Sequence, residues 1–442
     1  MTGPQAGLRD APLTERLSGW YQLLGPQPVG QPLRDHISAD FAVVGAGFTG
    51  LAAARQLAAH APGARVVVVE SQRVGMGSSG RNSGFLVDLA HYNHHLSTDD
   101  HCVVTRLQRA GIAHLAACVQ AYDIDCEWSA EGRLHAAAGP VGTRALARFC
   151  TALDAMGESY SRLSRSELRE ITGTDYYASA VHTPGAVLVQ PAALVVGLRT
   201  CLPSNVDVYD ESAVRSVRFE NRRGARLVTD HGSVTAPAVV VAVNGCSSEL
   251  RFPETGRVFP MLTFASLSAP PPDGTGQSPT LAGRASWGVV CEDPMGSTIR
   301  RTRGGRILVR NSLRFGRRAT ARDAAAVVAV HRRSFGARFP ELAAVGLEYT
   351  WGGTVGVTAN HVPYFGQVRP GVYTSAGCNG VGMTLGTISG VLLADMAAGV
   401  DCPLLADLQR LPRPAFVPPR VLLEPIVRAS VRWRQSRIGA DC

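Results

Sequence analysis

Phe41 to Val44 is a short apolar run, followed at once by Gly45-Ala46-Gly47-Phe48-Thr49-Gly50 and then by Leu51, Ala54, Leu57 and Ala58 at helical spacing. The period changes from strand to helix across a glycine turn. Pro62 and Gly63 stop that helix, and Arg65 to Val69 form a second apolar strand that ends in Glu70. Strand, turn, helix and strand within about 30 residues make a βαβ unit, and its crossover must be right-handed.

Further along, the pattern predicts helices over Asp99 to Ala121, Thr143 to Met156 and Pro191 to Leu202, the last with proline in its first turn. Strands are expected at Val206 to Tyr209 and Val214 to Phe219. Arg226 to Thr229, a turn at Asp230 to Gly232, and Ser233 to Val243 continue as a hairpin and a buried apolar strand. From Leu250 to Tyr349 the character changes: Arg257 to Leu267, Gly288 to Cys291 and Arg306 to Val309 look like strands, with a Pro/Gly-rich loop at Pro270 to Pro279 and a helix over Ala319 to Phe335. That is a mixed sheet with a covering helix. Beyond Trp351 the glycines return, with a strand at Val372 to Ser375 and an apolar helix over Gly382 to Met396. Its Gly382, Gly386 and Gly390 share one face, which predicts close packing on the nucleotide half. A proline-broken tail then leads to a basic helix over Val427 to Arg437.

The expected division is a leader over 1–38, a discontinuous nucleotide-binding domain of 39–90, 185–248 and 351–400, helical cover over 91–184, a substrate domain over 249–350, and a basic tail over 401–442.

The chain has 442 residues, 45% apolar and 18% charged, as suits a compact, loop-rich globule. All 44 basic residues are Arg, which excludes a Lys Schiff base, a Walker-A Lys and any lysine acid or base. Because arginine is spread from Arg9 to Arg437 among acidic residues, the net charge of +9 does not argue for nucleic-acid binding. The ten Cys have no CxxC pair and read as reduced thiols. No apolar run is long enough to cross a bilayer, the N-terminus has no secretory pattern, and a cytoplasmic location is expected.

Gly45 permits the tight turn, Gly47 lets backbone approach a phosphate, and Gly50 lets the helix lie close to the sheet. The helix N-terminus at Phe48 and Thr49 supplies N–H groups and partial positive charge. Glu70 is placed to accept hydrogen bonds from ribose hydroxyls, and its negative charge disfavours a 2′-phosphorylated ligand. This unit does not choose between a nicotinamide and a flavin. The next loop, Val74 to Gly84, is almost free of apolar side chains and suits wrapping a pyrophosphate and the edge of a flat ring.

Phe41 to Glu70 followed by Gly77-Ser78-Ser79-Gly80-Arg81-Asn82-Ser83-Gly84 resembles the D-amino-acid oxidase superfamily of FAD enzymes, and within it the gamma-glutamylputrescine oxidase-like branch. Val214 to Gly245 is similar to that family's returning strand. Trp351-Gly352-Gly353-Thr354, His361 to Gly366 and Ala376-Gly377-Cys378-Asn379-Gly380-Val381-Gly382-Met383 resemble its closing flavin segment. The resemblance spans roughly Ser38 to Val400 and implies an α/β fold: an FAD-binding Rossmann-like domain with a second, mixed-sheet α+β substrate domain.

It implies FAD contacts at Gly45, Gly47, Phe48, Thr49, Gly50, Glu70, Ser71, Gly77, Ser78, Ser79, Arg81, Asn82, Ser83, Val214, Asn244, Gly245, Gly377, Asn379, Gly380, Val381, Gly382, Met383 and Thr384. Arg81, Asn82 and His361 are the catalytic candidates, His361 more as a hydrogen-bonding support than as a base. The early loop has Gly80-Arg81 where some relatives attach flavin to a His, and no Cys precedes Gly366, so FAD is expected to be non-covalent and Cys378 to be packing. Some relatives use a Lys for the reaction with O2, which this chain lacks.

The implied activity is oxidation of the C–N bond of a primary or secondary amine by hydride transfer to flavin, giving an imine that hydrolyses, with O2 or another acceptor taking the electrons. Trp287, Tyr349, Trp351 and His91 are substrate-wall candidates, and Arg257, Arg300 or Arg310 are possible carboxylate partners. An amino- or imino-acid oxidase, with an Arg clamp on the substrate carboxylate, is the second reading. A flavoprotein kept for binding, with the basic tail as its contact surface, is the third. Oligomeric state is not legible. The cluster His91, His94, His95 and His101 has no local scaffold, so no metal is expected.

Overall fold

The computed structural model describes residues 12–90, 95–220, 223–250, 256–271, 283–293 and 295–441. Two large sheets organise it. The first has six strands in the order Tyr364–Arg369, Val372–Ala376, Ala238–Val241, Phe41–Val44, Val66–Val69 and Val206–Tyr209. All its pairings are parallel except the outer Tyr364–Arg369 edge. Parallel strands buried on both faces read as unbroken apolar runs, and Val66–Val69 is four buried valines. Alternation sends successive side chains to opposite cores. Val66 and Val68 join Leu51, Leu57 and Leu393 on the helical face, while Val67 and Val69 meet Leu227 and Val234 of a small sheet on the other.

That small sheet has the order His36–Ser38, Ser233–Ala236, Ala225–Val228 and Ser216–Phe219. The expected run from Ser233 to Val243 is therefore two strands in two sheets. Pro237 stands between them, and with no N–H to donate it marks where the chain leaves one sheet for the other.

The second large sheet has eight strands: Leu347–Thr358, Val258–Ser268, Ile307–Phe315, Thr298–Arg301, Trp287–Val290, Arg133–Ala137, Ser179–Thr183 and Ser161–Leu163. Three of these come from the stretch read as helical cover. The stretch also carries the expected helices, as Thr98–Ala121 and Pro140–Met156. The Leu347–Thr358 strand runs without a break through Trp351, where the nucleotide half was expected to resume. Helix Ala321–Arg338 covers this sheet, and Phe335 and Phe339 fill the space beneath it.

The glycine stripe does what its spacing predicts. Helix Thr384–Ala398 lies on helix Phe48–His60, and a Cβ on Gly390 would come within 2.1 Å of Thr49 O. The helix begins at Thr384, so Gly382 sits in the turn before it. The basic tail helix is longer than expected, Arg420–Arg437, and buries Leu423 against Met261 and Phe315. Among the described residues, no single helix is long and apolar enough to cross a membrane.

Candidate active site

The two large sheets enclose a cleft of about 1750 Å³. Ordinary small-molecule sites occupy ~300–1,000 Å³, so there is room for a dinucleotide and a second ligand.

One end is the glycine turn. Gly45 has φ 98°, and a Cβ there would lie 2.8 Å from Ala242 O. A Cβ on Gly47 would meet Ser79 Oγ at 2.6 Å, and the same hydroxyl accepts from Phe48 N at 3.2 Å. Gly50 packs on Gly45 O and stays off the cleft wall, as helix-to-sheet packing requires. The helical ladder starts with Leu51 N donating to Gly47 O at 2.9 Å, which leaves the Thr49 and Gly50 N–H groups outside it. Glu70 lines the cleft, yet its carboxylate already accepts from Ala46 N at 2.7 Å and Gln72 N at 3.0 Å. It ties the turn to the strand end, a duty its position alone did not reveal. Ser71, Ser83, Val214 and Gly245 also line the wall.

The loop that follows carries Arg81, which is 7% exposed. Its Nε donates to Met76 O at 2.6 Å and its Nη1 to Gly352 O at 3.0 Å. Burial lowers its pKa to about 10, so it stays cationic at neutral pH. Asn82 is occupied by its own loop, donating to Ser79 O at 2.7 Å and accepting from Gly84 N at 2.8 Å. Ser78 Oγ donates to Thr354 O at 2.7 Å, and Gly77 and Ser79 line the cleft beside it. Two indoles brace the loop from behind: Trp351 Nε1 donates to Arg81 O at 2.9 Å and Trp20 Nε1 to Asn82 O at 2.8 Å, the rings edge to face at 6.4 Å. Trp20 and Ser18, which donates to Gly80 O at 2.8 Å, belong to the stretch read as a leader. Nothing in the local pattern of that stretch marked them as partners of a loop sixty residues away.

The closing segment is held by two asparagines. Asn244 Oδ1 accepts from Gly377 N at 2.9 Å and Cys378 N at 3.3 Å; Asn379 Oδ1 accepts from Thr358 N at 2.9 Å while its amide donates to Gly377 O at 2.8 Å. Gly380, at φ 90°, faces open space. Leu385 N donates to Val381 O at 3.1 Å, so the N–H groups of Gly382, Met383 and Thr384 precede the first rung. Gly382 and Met383 line the cleft, whereas Gly377, Val381 and Thr384 lie behind the wall, Val381 in an apolar core and Thr384 fully buried. Burial raises the Cys378 thiol pKa, and its sulfur accepts from Asn244 Nδ2 at 3.2 Å.

The substrate-wall expectations need correction. Trp287 is buried under Phe339 at 6.1 Å, Trp351 is consumed by Arg81, and Tyr349 packs in the same core beside Arg306. None of the three reaches the cleft wall, because burying a large ring against other apolar side chains stabilises it in a core, even at Trp287, whose Nε1 has no hydrogen-bond partner among the described residues. His91 and His94 lie outside the described residues. His95 lines the cleft, while His101 is buried on helix Thr98–Ala121 with Nδ1 against Ser97 O at 2.8 Å. His361 is exposed on the rim with φ 59°.

Of the three candidate arginines, Arg310 alone lines the cleft. Arg257 stacks on Phe416 at 3.5 Å, and buried Arg300 donates to Val189 O and to Gly84 O at 3.3 Å. Arg310 Nε donates to Thr263 Oγ1 at 2.9 Å, and burial lowers its pKa to about 10. His331 lies near it with Nδ1 2.7 Å from Ser266 Oγ, its pKa driven to about 3 by burial and by the Arg310 charge.

Fold and cleft define a protein built to hold a dinucleotide between two sheets. The profile of the FAD dependent oxidoreductase family (DAO) matches residues 40–396, and the chain belongs to that family. It is 27% identical to the gamma-glutamylputrescine oxidoreductase of Escherichia coli strain K12, covering 96% of this chain and 99% of that protein. It is 28% identical to the probable oxidoreductase OrdL of Rhizobium meliloti strain 1021, over 90% and 92% of the two chains. The fold matches glycine oxidase from Geobacillus kaustophilus with a TM-score of 0.68 at 22% identity, over 83% of this chain and 96% of that one. Iminodiacetate oxidase from Chelativorans sp. BNC1 matches with a TM-score of 0.65 at 19% identity, over 82% and 96%.

FAD is the family's cofactor, and the walls fit it. Two helix starts leave backbone donors outside their ladders, Gly45 and Gly47 hold backbone where a side chain would intrude, and the buried Ser389 Oγ on the wall has no partner among the described residues.

Proposed function

We propose that this enzyme oxidises the C–N bond of an amine, with non-covalent FAD and O2 as the acceptor. Gly45, Gly47, Phe48 and Thr49 hold the pyrophosphate, Glu70 the adenosine ribose, and Arg81, Gly380, Gly382 and Met383 border the ring. FAD, when bound there, would supply the acceptor for a hydride leaving the carbon next to nitrogen, and the imine product would hydrolyse in water. The observation that carries this reading is the start of the buried helix, where the Met383 and Thr384 N–H groups precede the first rung and the Gly382 N–H is turned on the Cys378 sulfur; the partial positive charge of that helix end favours negative charge at that end of the cleft.

Two guanidinium groups, Arg81 and Arg310, border the same space and disfavour an ammonium ion near them. They bias the substrate toward the neutral amine, whose lone pair is available. They also supply the positive charge that a lysine provides in some relatives. Asn82 acts by fixing the Arg81 loop, and His361 by holding the rim. The full-length similarity to gamma-glutamylputrescine oxidoreductase supports the amine class.

Arg310 favours a second reading, an amino or imino acid. Burial lowers its pKa, and among the described residues no carboxylate forms an ion pair with it, so its remaining N–H groups suit a substrate carboxylate.

FAD-loaded protein mixed without air with polyamines, N-methyl amino acids and D- and L-amino acids tests both. Bleaching by a polyamine supports the first reading, and bleaching by amino or imino acids alone supports the second. No bleaching by any of them refutes C–N oxidation, and peroxide formation in air distinguishes O2 from another acceptor.

A further inference from the structure

The segment from Arg413 to Asp441 is pinned at both ends across the substrate end of the cleft. At its start, Asn360 donates to Arg413 O at 3.0 Å and accepts from Ala415 N at 3.1 Å, and Val417 N donates to Gly256 O at 2.9 Å. At its middle, Leu423 is buried, with Val427 and Val431 beside it. At its end, the Asp441 carboxylate accepts from Ala138 N at 2.6 Å and Gly142 N at 3.0 Å, and Ser297 N donates to Asp441 O at 2.9 Å. Helix Pro140–Met156 has glycine at its N-cap and so no capping side chain of its own; Asp441 supplies one from 299 residues away. A Cβ on Gly142 would lie 2.6 Å from Asp441 Oδ1, so the seat accommodates the carboxylate only because glycine is there.

Between these anchors, Arg434 and Arg437 line the cleft, with Arg437 over the Trp433 ring at 4.5 Å. Arg144, Arg317 and Arg318 line the same end. Two carboxylates stand among them and keep their charge, Glu292 beside the neutral His135 and Asp293 accepting from Met295 N at 2.9 Å, so five guanidinium groups face two negative charges. The local field is net positive.

We propose that Arg434 and Arg437 are specificity-determining residues, which select substrates carrying an anionic group remote from the reacting C–N bond. The C-terminal strap thereby forms part of the substrate site. The inference rests on the proposed C–N chemistry for the word substrate, and its first test does not depend on turnover.

The probe is glutarate, titrated calorimetrically into FAD-loaded protein. Wild type and the exposed-surface control R332A/R333A bind it alike. R434A/R437A weakens it about tenfold, as expected for losing two exposed charge contacts, with a shallower dependence on salt. R434E/R437E reverses the preference, so that putrescine binds more tightly than to wild type. D441A, which frees the end of the strap, weakens glutarate in the same direction and speeds tryptic cleavage at Arg434 and Arg437. Unchanged glutarate affinity in R434A/R437A, or no glutarate binding by wild type, overturns the proposal. If no amine bleaches the flavin, the C–N reading falls while the titration still decides the role of the strap. With an active amine in hand, KM for a carboxylate-bearing amine rises in R434A/R437A while KM for its neutral analogue and kcat for both stay level.

Discussion

Replacing Gly390 by alanine places a methyl group where its Cβ is 2.1 Å from Thr49 O and 3.1 Å from Ala53 N. Relief requires the two helices to separate by about 1 Å along that direction, since carbon and oxygen do not approach much below ~3 Å. Overpacking of this kind costs about 1–3 kcal/mol. The strain has a functional direction. Thr49 belongs to the first turn of helix Phe48–His60, and the other helix starts with the Gly382 to Thr384 donors, so moving the helices apart disturbs both N–H clusters together. G390A should therefore lower Tm and weaken FAD binding at least tenfold, read by flavin fluorescence on titration of apoprotein. G399A is the control. Gly399 caps the same helix at φ 72° with open space around it, and alanine there costs about 1 kcal/mol of backbone strain. It should lower Tm without changing FAD affinity. Equal FAD affinity in G390A and wild type refutes the coupling of helix packing to the cofactor cleft.

R81M strands the buried Met76 and Gly352 carbonyls, costing about 2–4 kcal/mol, and R81K, lacking the guanidinium fork, should recover part of the flavin content; equal flavin in R81M and wild type contradicts this. Burial holds His135 to about 4 and His331 to about 3, below an unfolded value of about 6.5, so both folded-state rings resist protonation. Stability is complete above about pH 6.5 and falls with acidification, by about 2 kcal/mol per ring at pH 5. Thermal melts from pH 8 to pH 5 should show the decline, and H331Q should flatten it; an identical slope removes His331 as a cause. Protein denatured in acid should release all its flavin to the supernatant, and C378S should do the same; flavin retained in the wild-type pellet and lost in C378S contradicts the packing role of Cys378.

The glycine turn, the first helix and the buried valine strands were legible because local chemistry determines them. A turn at φ 98° needs glycine, and a strand covered on both faces needs unbroken apolar side chains. Sheet membership was not. Arg133–Ala137 is buried along its whole length yet includes Arg and His, so it hides its strand character. Pro237 looks like a local irregularity until its two flanking strands are seen in different sheets. Residue roles that depend on register were equally hidden: Arg257, Arg300 and Arg310 are alike in sequence, and only tertiary placement puts Arg310 on the cleft. The large aromatics misled for the same reason, since Trp351 matches a binding wall by size but spends its N–H on Arg81 O.

A measurement on the reacting bond itself bears hardest on the proposed chemistry. The amine that bleaches the flavin fastest should be prepared with deuterium on the carbon next to nitrogen and mixed anaerobically with FAD-loaded protein in a stopped-flow instrument. Hydride transfer predicts bleaching slowed several-fold with the label and unchanged with deuterium on a remote carbon. Bleaching at the same rate for both, in a step shown to be the chemical one, contradicts it.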